Sequence, residues 1–235
     1  MSWGRVMKPN MRFSRLLLSL VGLLVVGANA ASAATFTYSS YDVTNEQNIS
    51  ISAPNSISGG AGQIVLIGSG ANVGQTILAY CLNIYTYLQG AGTYQIGPLT
   101  TAGSGSPNPA LTNTQISEIG SLIVNGNALI STSHDVSAAV QLAIWEVEYG
   151  AGFTFTGLDA GAKSLASTYL TNVGAGGIWA SSNYNVSLLS QTGNQNLAFV
   201  NPTPIPAALP LFAGGLGVFG LLARRRKRKA PLAIA

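Results

Sequence analysis

Short, largely apolar segments predict β-strands in the first half of the chain. These segments are rich in β-branched and aromatic residues, and turns such as Gly59-Gly60 and Gly90-Ala91-Gly92 separate them. Two further segments of the same kind follow near the end of the middle region. The predicted strands cover residues 35–38, 49–52, 63–67, 76–84, 93–96, 184–188 and 197–200.

Between these two groups of strands the apolar residues recur at helical spacing. Three stretches, at residues 116–123, 136–147 and 158–173, each predict one amphipathic helix. We expect Gly126 to end the first of them. The candidate N-caps, in chain order, are Thr112 or Thr114, Ser133 or Asp135, and Thr156 or Asp159.

The order of strands, then helices, then strands predicts a β-rich α+β protein. Its core is expected to be an antiparallel β-sandwich or barrel-like structure with a helical insertion. Residues 34–201 are enough for one domain with a normal core. Only 8% of the residues are charged, and Gly, Ser, Thr and Asn are frequent, which is typical of an exported β-rich module.

The N-terminal segment predicts export. Four basic residues precede an apolar stretch at residues 16–26, and small residues follow it as far as Ala34. This is the pattern of a secretory signal peptide covering residues 1–33, with cleavage after Ala30 or Ala33. The apolar stretch is too short to be a permanent anchor, because a spanning helix needs about 20 apolar residues.

The C-terminal segment, residues 202–235, predicts a transmembrane helix. A proline-rich stretch leads into an apolar, glycine-rich run that ends at Ala223, and six consecutive Arg and Lys residues follow at 224–229. Basic residues directly after an apolar helix stay on the cytoplasmic side of the inner membrane. The same position argues against a nucleic-acid-binding role for the cluster.

This tail resembles the PEP-CTERM class of sorting signals, in its variant with a Pro-Leu-Pro-Ala core. The resemblance rests on Pro204, Pro206, Ala207 and Pro210, with Ile205 where the variant usually has Leu. It implies a Gram-negative bacterium and a membrane processing enzyme of the exosortase type. It also implies a membrane-anchored intermediate and delivery to the cell surface or the biofilm matrix.

Charge separates the two ends from the middle of the chain. The whole sequence has a net charge of +4 and a pI near 9.3, but of its eleven basic residues only Lys163 lies outside the ends. All seven acidic residues lie in the middle, which therefore carries a net charge of −6. The basic pI results from the predicted signal peptide and the predicted sorting tail, and it gives no support to a nucleic-acid partner.

Cys81 is the only cysteine of the chain, so it has no partner for an intramolecular disulfide. We expect it in or at the end of a strand, and Gln141 on the second helix with Trp145 one turn further on the same face. A helix packed on the sheet would bring the Gln141 carboxamide to the thiol, with Tyr80 and Trp145 covering the site. Held in a dry site, the two groups would form an internal thioester and release ammonia.

Both halves of this pair resemble the motifs of bacterial surface thioester domains. The aromatic-Cys-apolar run at 80–82 and the apolar-Gln-x-x-apolar-Trp run at 140–145 carry the resemblance. It implies a β-sandwich-like core with a helical subdomain and a Cys81–Gln141 thioester. It further implies covalent capture of an amine or a hydroxyl on a surface protein or polysaccharide, and so adhesion or matrix attachment without enzymatic turnover.

Two other functions remain open from the sequence. The first is a non-reactive protein of the exopolysaccharide, in which Cys81 is a small buried hydrophobic residue. The second is a Cys–His hydrolase, for which His134, the only histidine, and the adjacent Asp135 are candidates. No metal cluster, phosphate loop or paired-carboxylate motif stands out, so no cofactor is expected. Glu146 and Glu148 are expected to form a solvated helix face.

Overall fold

The structure is a computed structural model that describes residues 34–179 and 184–200. The predicted signal peptide at 1–33 and the predicted sorting tail at 202–235, with its four motif residues, lie outside these ranges. Among the described residues, no helix has both the length and the hydropathy needed to cross a membrane.

Seven strands and three α-helices make up the described part of the chain. The strands are β1 (Ala34–Ala53), β2 (Ile57–Gly68), β3 (Thr76–Cys81), β4 (Gly92–Pro98), β5 (Thr154–Gly157), β6 (Val186–Ser190) and β7 (Leu197–Val200). The helices are α1 (Asn113–Leu129), α2 (Val136–Tyr149) and α3 (Ala160–Val173). All three helices lie between β4 and β6 in the sequence, so the predicted β-rich α+β class with a helical insertion is confirmed.

All the strand pairings are antiparallel, and they run in the order β2-β3-β7-β6-β4-β1-β5, with β1 also paired to β2. Strand β1 makes this second pairing possible because it is twenty residues long. Its first residues pair with β4, its middle with β2 and its last residues with β5. Two register shifts, next to Tyr38 and next to Thr44, bend β1 along this path.

Helix α2 is the central helix of the fold. Twelve of its residues are buried, including Gln141, Trp145 and Glu148, so it is buried on nearly every face, as expected for a helix surrounded by protein. It packs against α1, α3 and β2. Ser137 fixes its first turn to the sheet, because its hydroxyl accepts a hydrogen bond from the Gln63 amide and donates one to the Thr44 carbonyl.

The predicted helix starts and ends agree with the structure in some places and not in others. Thr112 caps α1 and forms a capping box with Gln115. Gly126, expected to end α1, instead lies inside it, where a Cβ atom would come within 2.3 Å of Val140 Cγ2 on α2. The prediction was wrong because a glycine that permits close helix packing has the same sequence signal as a terminal glycine. Helix α3 begins after Asp159.

The bounds of several predicted strands differ from those in the structure. The segments expected at 35–38 and 49–52 are the two ends of the single strand β1, and β2 begins six residues before its prediction. Strand β3 ends at Cys81 rather than at residue 84, and β6 starts two residues later than expected. Strand β5 was not predicted, because its residue Thr156 was assigned as a candidate N-cap of the third helix.

Candidate functional site

Gln141 and Cys81 are in direct contact through two hydrogen bonds. The Cys81 amide donates to Gln141 Oε1 at 2.8 Å, and Gln141 Nε2 donates to the Cys81 carbonyl oxygen at 2.9 Å. Both residues are buried, with 3% and 1% of their surface exposed for Cys81 and Gln141 respectively. The carboxamide is therefore held in one orientation against the main chain of the residue that carries the thiol.

The end of strand β3 explains why this main chain is available to a side chain. The ladder between β2 and β3 stops at the pair Ile64–Ala79, whereas the ladder between β3 and β7 continues to Cys81 and Leu197. Cys81 thus has a strand neighbour on one side only. The Gln141 carboxamide satisfies its N–H and C=O, as buried main-chain groups require.

The Cys81 thiol lies in an apolar environment. Its Sγ donates a weak hydrogen bond to the Asn83 carbonyl oxygen at 3.3 Å. Burial raises the pKa of the thiol well above its usual value, and the nearby Glu148 carboxyl raises it further, while the Trp145 indole and the Asn83 main chain act in the opposite direction. At neutral pH the thiol is protonated, so it becomes a nucleophile only if a neighbouring group takes its proton.

The two hydrogen bonds have different consequences for attack of the sulfur on the Gln141 carbonyl carbon. Negative charge would develop on Oε1, where the Cys81 amide already donates, as in an oxyanion hole. The leaving group would be Nε2, which donates to a carbonyl and receives no proton from it. The geometry therefore supplies stabilisation for the oxygen, and loss of ammonia still requires a proton donor.

Trp145 lies beside the pair, one turn along α2 from Gln141. It is 3% exposed, and its Nε1–H makes no full hydrogen bond to the described residues but interacts with the Cys81 thiol, whose pKa it lowers. Its indole packs on Phe153, with the two ring centroids 6.0 Å apart. Trp145 thus excludes water from one side of the Cys81–Gln141 contact.

Tyr80 occupies a different place from Trp145. Successive side chains of a strand point to opposite faces, so Tyr80 and Cys81 diverge. The Tyr80 hydroxyl donates to Asn127 Oδ1 on α1 at 3.0 Å, and the ring does not line the cavity at Cys81. Its contacts connect β3 to α1 beneath the site.

Glu148 is buried and unpaired, which corrects the expectation of a solvated Glu146–Glu148 face. It is 3% exposed, and neither carboxyl oxygen has a hydrogen-bond partner among the described residues. Burial raises its pKa well above the usual carboxyl value, which favours the protonated form. Its spacing of seven from Gln141, two helical turns, was the sequence signal that could have placed it on the same buried face.

A cavity of about 290 Å³ reaches the pair from the surface. Cys81, Gln141 and Trp145 line it on the inside, isoleucines of β1 and β2 form much of its wall, and the exposed residues Tyr87 and Glu46 stand among its lining residues. Its volume is at the lower limit for small-ligand sites and suits a single extended side chain.

The loop after β3 is fixed by Tyr149, the last residue of α2. Its hydroxyl lies 3.0 Å from the Leu82 carbonyl oxygen and 3.1 Å from Asn108 Oδ1, and it accepts from the Ile84 amide at 3.4 Å. Asn83, which receives the thiol hydrogen bond, lies between two of these contacts. Helix α2 therefore positions both the carboxamide and the loop beside the thiol.

His134 lies away from this site. It is exposed, immediately before α2, and it does not line the cavity at Cys81. Its ring is grouped with Asp135 and Asp159, with donor atoms within 4.8 Å of one another. Asp135 Oδ1 already accepts a hydrogen bond from Gln47, and exposed acidic groups of this kind commonly occur without a metal ion.

Comparison with known proteins finds three similar chains among solved structures, two of which come from Streptococcus pyogenes. No protein-family model and no curated protein matches the chain. The N-terminal domain of the Streptococcus pyogenes pilus tip adhesin Cpa is 16% identical, with a TM-score of 0.45, and the match covers 74% of this chain and 100% of that one. The N-terminal thioester domain of the fibronectin-binding protein SfbI from the same organism is 16% identical, with a TM-score of 0.41 and coverage of 69% and 95%. The assignment of the site below rests on its own geometry.

Proposed function

We propose that Cys81 and Gln141 form an internal thioester that captures a surface nucleophile covalently. The observation that carries the proposal is the pair of hydrogen bonds that fixes the Gln141 carboxamide on Cys81. In the reaction, Cys81 Sγ bonds to Gln141 Cδ, the bond from Cδ to Nε2 breaks, and ammonia leaves with the thiol proton. The product is an activated acyl group stored inside the protein.

Burial and orientation support this chemistry over the ordinary inertness of a thiol and an amide. Fixed placement of two groups corresponds to effective molarities of about 10⁵ M or more. The Cys81 amide stabilises the developing oxyanion at no reorganisation cost. Exclusion of water by Trp145 would also protect the finished thioester from hydrolysis.

The cavity supports capture of a nucleophile that arrives on a narrow chain. An amine or hydroxyl entering it would attack the Gln141 acyl carbon, release the Cys81 thiol and remain attached through an amide or ester bond. Glu46 is the charged residue among those lining the cavity, so a cationic amine is favoured over a neutral hydroxyl. Each molecule reacts once, and the protein is therefore a consumed adhesive rather than an enzyme.

The resemblances of the sequence supply the rest of the proposal. The motifs around Cys81 and Gln141 resemble those of surface thioester domains, and the ends of the chain resemble a signal peptide and a PEP-CTERM tail. We infer export, processing by an exosortase-type enzyme and a final position at the cell surface or in the extracellular matrix. Surface proteins and polysaccharides would then supply the amines and hydroxyls.

One alternative retains specific support. The raised pKa of Cys81 and its apolar surroundings fit a non-reactive matrix protein with an inert buried thiol. The Cys–His hydrolase has less support, because His134 is exposed and does not line the cavity at Cys81.

Intact-mass measurement of the purified protein distinguishes these functions. A thioester lowers the mass by one ammonia, and incubation with methylamine then adds one methylamine to Gln141 and exposes one thiol. Cys81→Ala should show neither change. A full-mass wild-type protein that takes up no methylamine would reject the proposal and leave the matrix protein. Catalytic turnover of acyl or amide substrates would instead indicate the hydrolase.

A further inference from the structure

Helix α2 carries three buried polar side chains in one stripe next to the thiol. Gln141, Trp145 and Glu148 are spaced by four and three residues, so they lie on one face of the helix. Helical side chains lean toward the N-terminus of their helix, which directs the Glu148 carboxyl toward Trp145 and the Cys81–Gln141 contact. Cys81 and Glu148 are close enough for electrostatic interaction.

Within the part of the chain that the structure describes, Glu148 lacks the hydrogen bonds and the ion pair that normally stabilise a buried carboxyl with a structural role. Both of its oxygens are buried without a hydrogen-bond partner among the described residues, an arrangement that costs stability and that proteins generally avoid. The described part of the chain gives it no cation, because its one basic residue, Lys163, lies on α3 and forms no ion pair that the structure records. Unpaired buried carboxyls of this kind occur where a proton must be given or taken.

We propose that Glu148 is the proton-transfer group that closes the Cys81–Gln141 thioester. The inference rests on the proposed function, and it assigns the two proton transfers that the pair itself does not provide. Cys81 needs a group that accepts its proton, and Gln141 Nε2 needs a group that donates one.

A protonated carboxyl performs both proton transfers and has the same protonation state before and after the reaction. One oxygen of Glu148 takes the Cys81 thiol proton as Sγ bonds to Gln141 Cδ, and the hydroxyl of the same carboxyl delivers its proton to Nε2 as the bond from Cδ breaks. Ammonia leaves, and Glu148 ends protonated as it began. The transfers run directly or through one water. In the reverse direction, an attacking amine would lose a proton to Glu148 while the departing Cys81 sulfur gains one.

The burial of Glu148 suits this role. A carboxyl in water is ionised at neutral pH and has no proton to give, whereas burial raises the pKa of Glu148 and so favours the acid form. The thiol of Cys81 and the phenol of Tyr149 are the titratable groups with which it interacts. Burial raises the pKa of each of these two groups, so both are neutral at neutral pH. Neither of them therefore places a charge beside Glu148.

Re-closure of the opened thioester provides the test. Full-length protein is treated with ammonia, which restores the Gln141 amide and the free thiol. The ammonia is then removed, and the loss of one ammonia in mass is followed with time. We expect Glu148→Gln to re-close at least about 100-fold more slowly than the wild type. Glu148→Asp, which keeps an acid, should recover part of the rate, and Glu146→Gln, a neighbouring half-buried carboxyl on another face, should match the wild type.

The outcomes separate the two proposals. A wild-type protein that never loses ammonia overturns the thioester itself. If the wild type closes and Glu148→Gln closes equally fast, or if Glu148→Asp is as slow as Glu148→Gln, the role of Glu148 is rejected and the thioester stands. Thermal unfolding of each variant supplies the structural control, because the neutral amide should not lower the melting temperature while it slows closure.

Discussion

The carboxamide of Gln141 takes the place of a strand beside Cys81, with its oxygen on the Cys81 amide and its nitrogen on the Cys81 carbonyl. This is the pattern by which a neighbouring strand would bond to Cys81 if the ladder between β2 and β3 continued past the pair Ile64–Ala79. The side chain therefore has a structural contribution as well as a chemical one. The two contributions can be measured separately, because only the chemical one needs the sulfur.

We expect Gln141→Met to destabilise the fold even when no thioester forms. Methionine has a similar volume and leaves the Cys81 N–H and C=O buried without partners, at a cost of about 2 kcal/mol. Urea unfolding in a Cys81→Ala background measures this cost. Gln95→Met on the exposed side of β4 is the matched control and should change the free energy of unfolding by less than about 0.5 kcal/mol. Equal effects at both positions would contradict the structural contribution of the carboxamide.

The sequence predicted the contact between Cys81 and Gln141 and the neighbouring Trp145, and it missed Glu148 and Tyr149. Two motifs of a few residues each were sufficient to pair a lone thiol with one carboxamide on an apolar helix. Glu148 was assigned to a solvated face because charged residues are almost never fully buried. Its burial depends on how α2 is surrounded by α1, α3 and β2, and periodicity within one helix contains no information about that packing.

The same limit applies to the cavity and to the loop after β3. Tyr149 reaches Leu82 and Asn108 across long stretches of sequence, and such contacts follow from tertiary structure alone. Gly126 is a different case. Its sequence pattern predicted the end of a helix, whereas in the structure it allows α1 to pack closely on Val140.

Glu148 should make stability fall as the pH rises. Burial raises its pKa in the folded protein above the ordinary value near 4.5, so above that pH the unfolded chain releases a proton that the folded chain keeps. The free energy of unfolding then decreases with pH by up to about 1.4 kcal/mol per unit, until the pH passes the folded pKa.

We expect Glu148→Gln to remove the contribution of Glu148 to this slope, from about pH 4.5 up to the folded pKa of Glu148. Urea unfolding of both proteins in a Cys81→Ala background is the measurement, since the thiol and the thioester are then absent. Glu118 and Glu146, whose pKa values are also raised by burial, remain in both proteins, so the difference isolates Glu148. Parallel pH profiles for the two proteins would show that Glu148 is ionised in the fold.

Tyr149→Phe should weaken the loop that follows β3. The substitution removes the hydroxyl that contacts Leu82, Ile84 and Asn108, and we expect a loss of about 1–2 kcal/mol in the free energy of unfolding. Hydrogen exchange of the Ile84 amide should also become faster. Tyr87→Phe, which removes an exposed hydroxyl, is the control. An unchanged exchange rate at Ile84 would mean that the loop is fixed by other contacts.

Glu46 should favour positively charged nucleophiles at the cavity. Its side chain lies across Gly60, where a Cβ atom would meet Glu46 Oε1, and both residues line the cavity. A short diamine carries one reactive amine and one positive charge, so its approach is assisted by the carboxylate. We expect Glu46→Gln to slow diamine capture about fivefold at low salt, as for an exposed charge pair.

Two controls distinguish electrostatics from a change in cavity shape. Capture of hydroxylamine, which is neutral near pH 7, should be the same in Glu46→Gln and the wild type. The difference for the diamine should disappear near 1 M salt, where charges are screened within about 3 Å. Stopped reactions analysed by intact mass give all of these rates. A fivefold loss that persists in high salt, or that extends to hydroxylamine, would assign the effect of Glu46 to the shape of the cavity, because neither the salt nor the neutral nucleophile alters that shape.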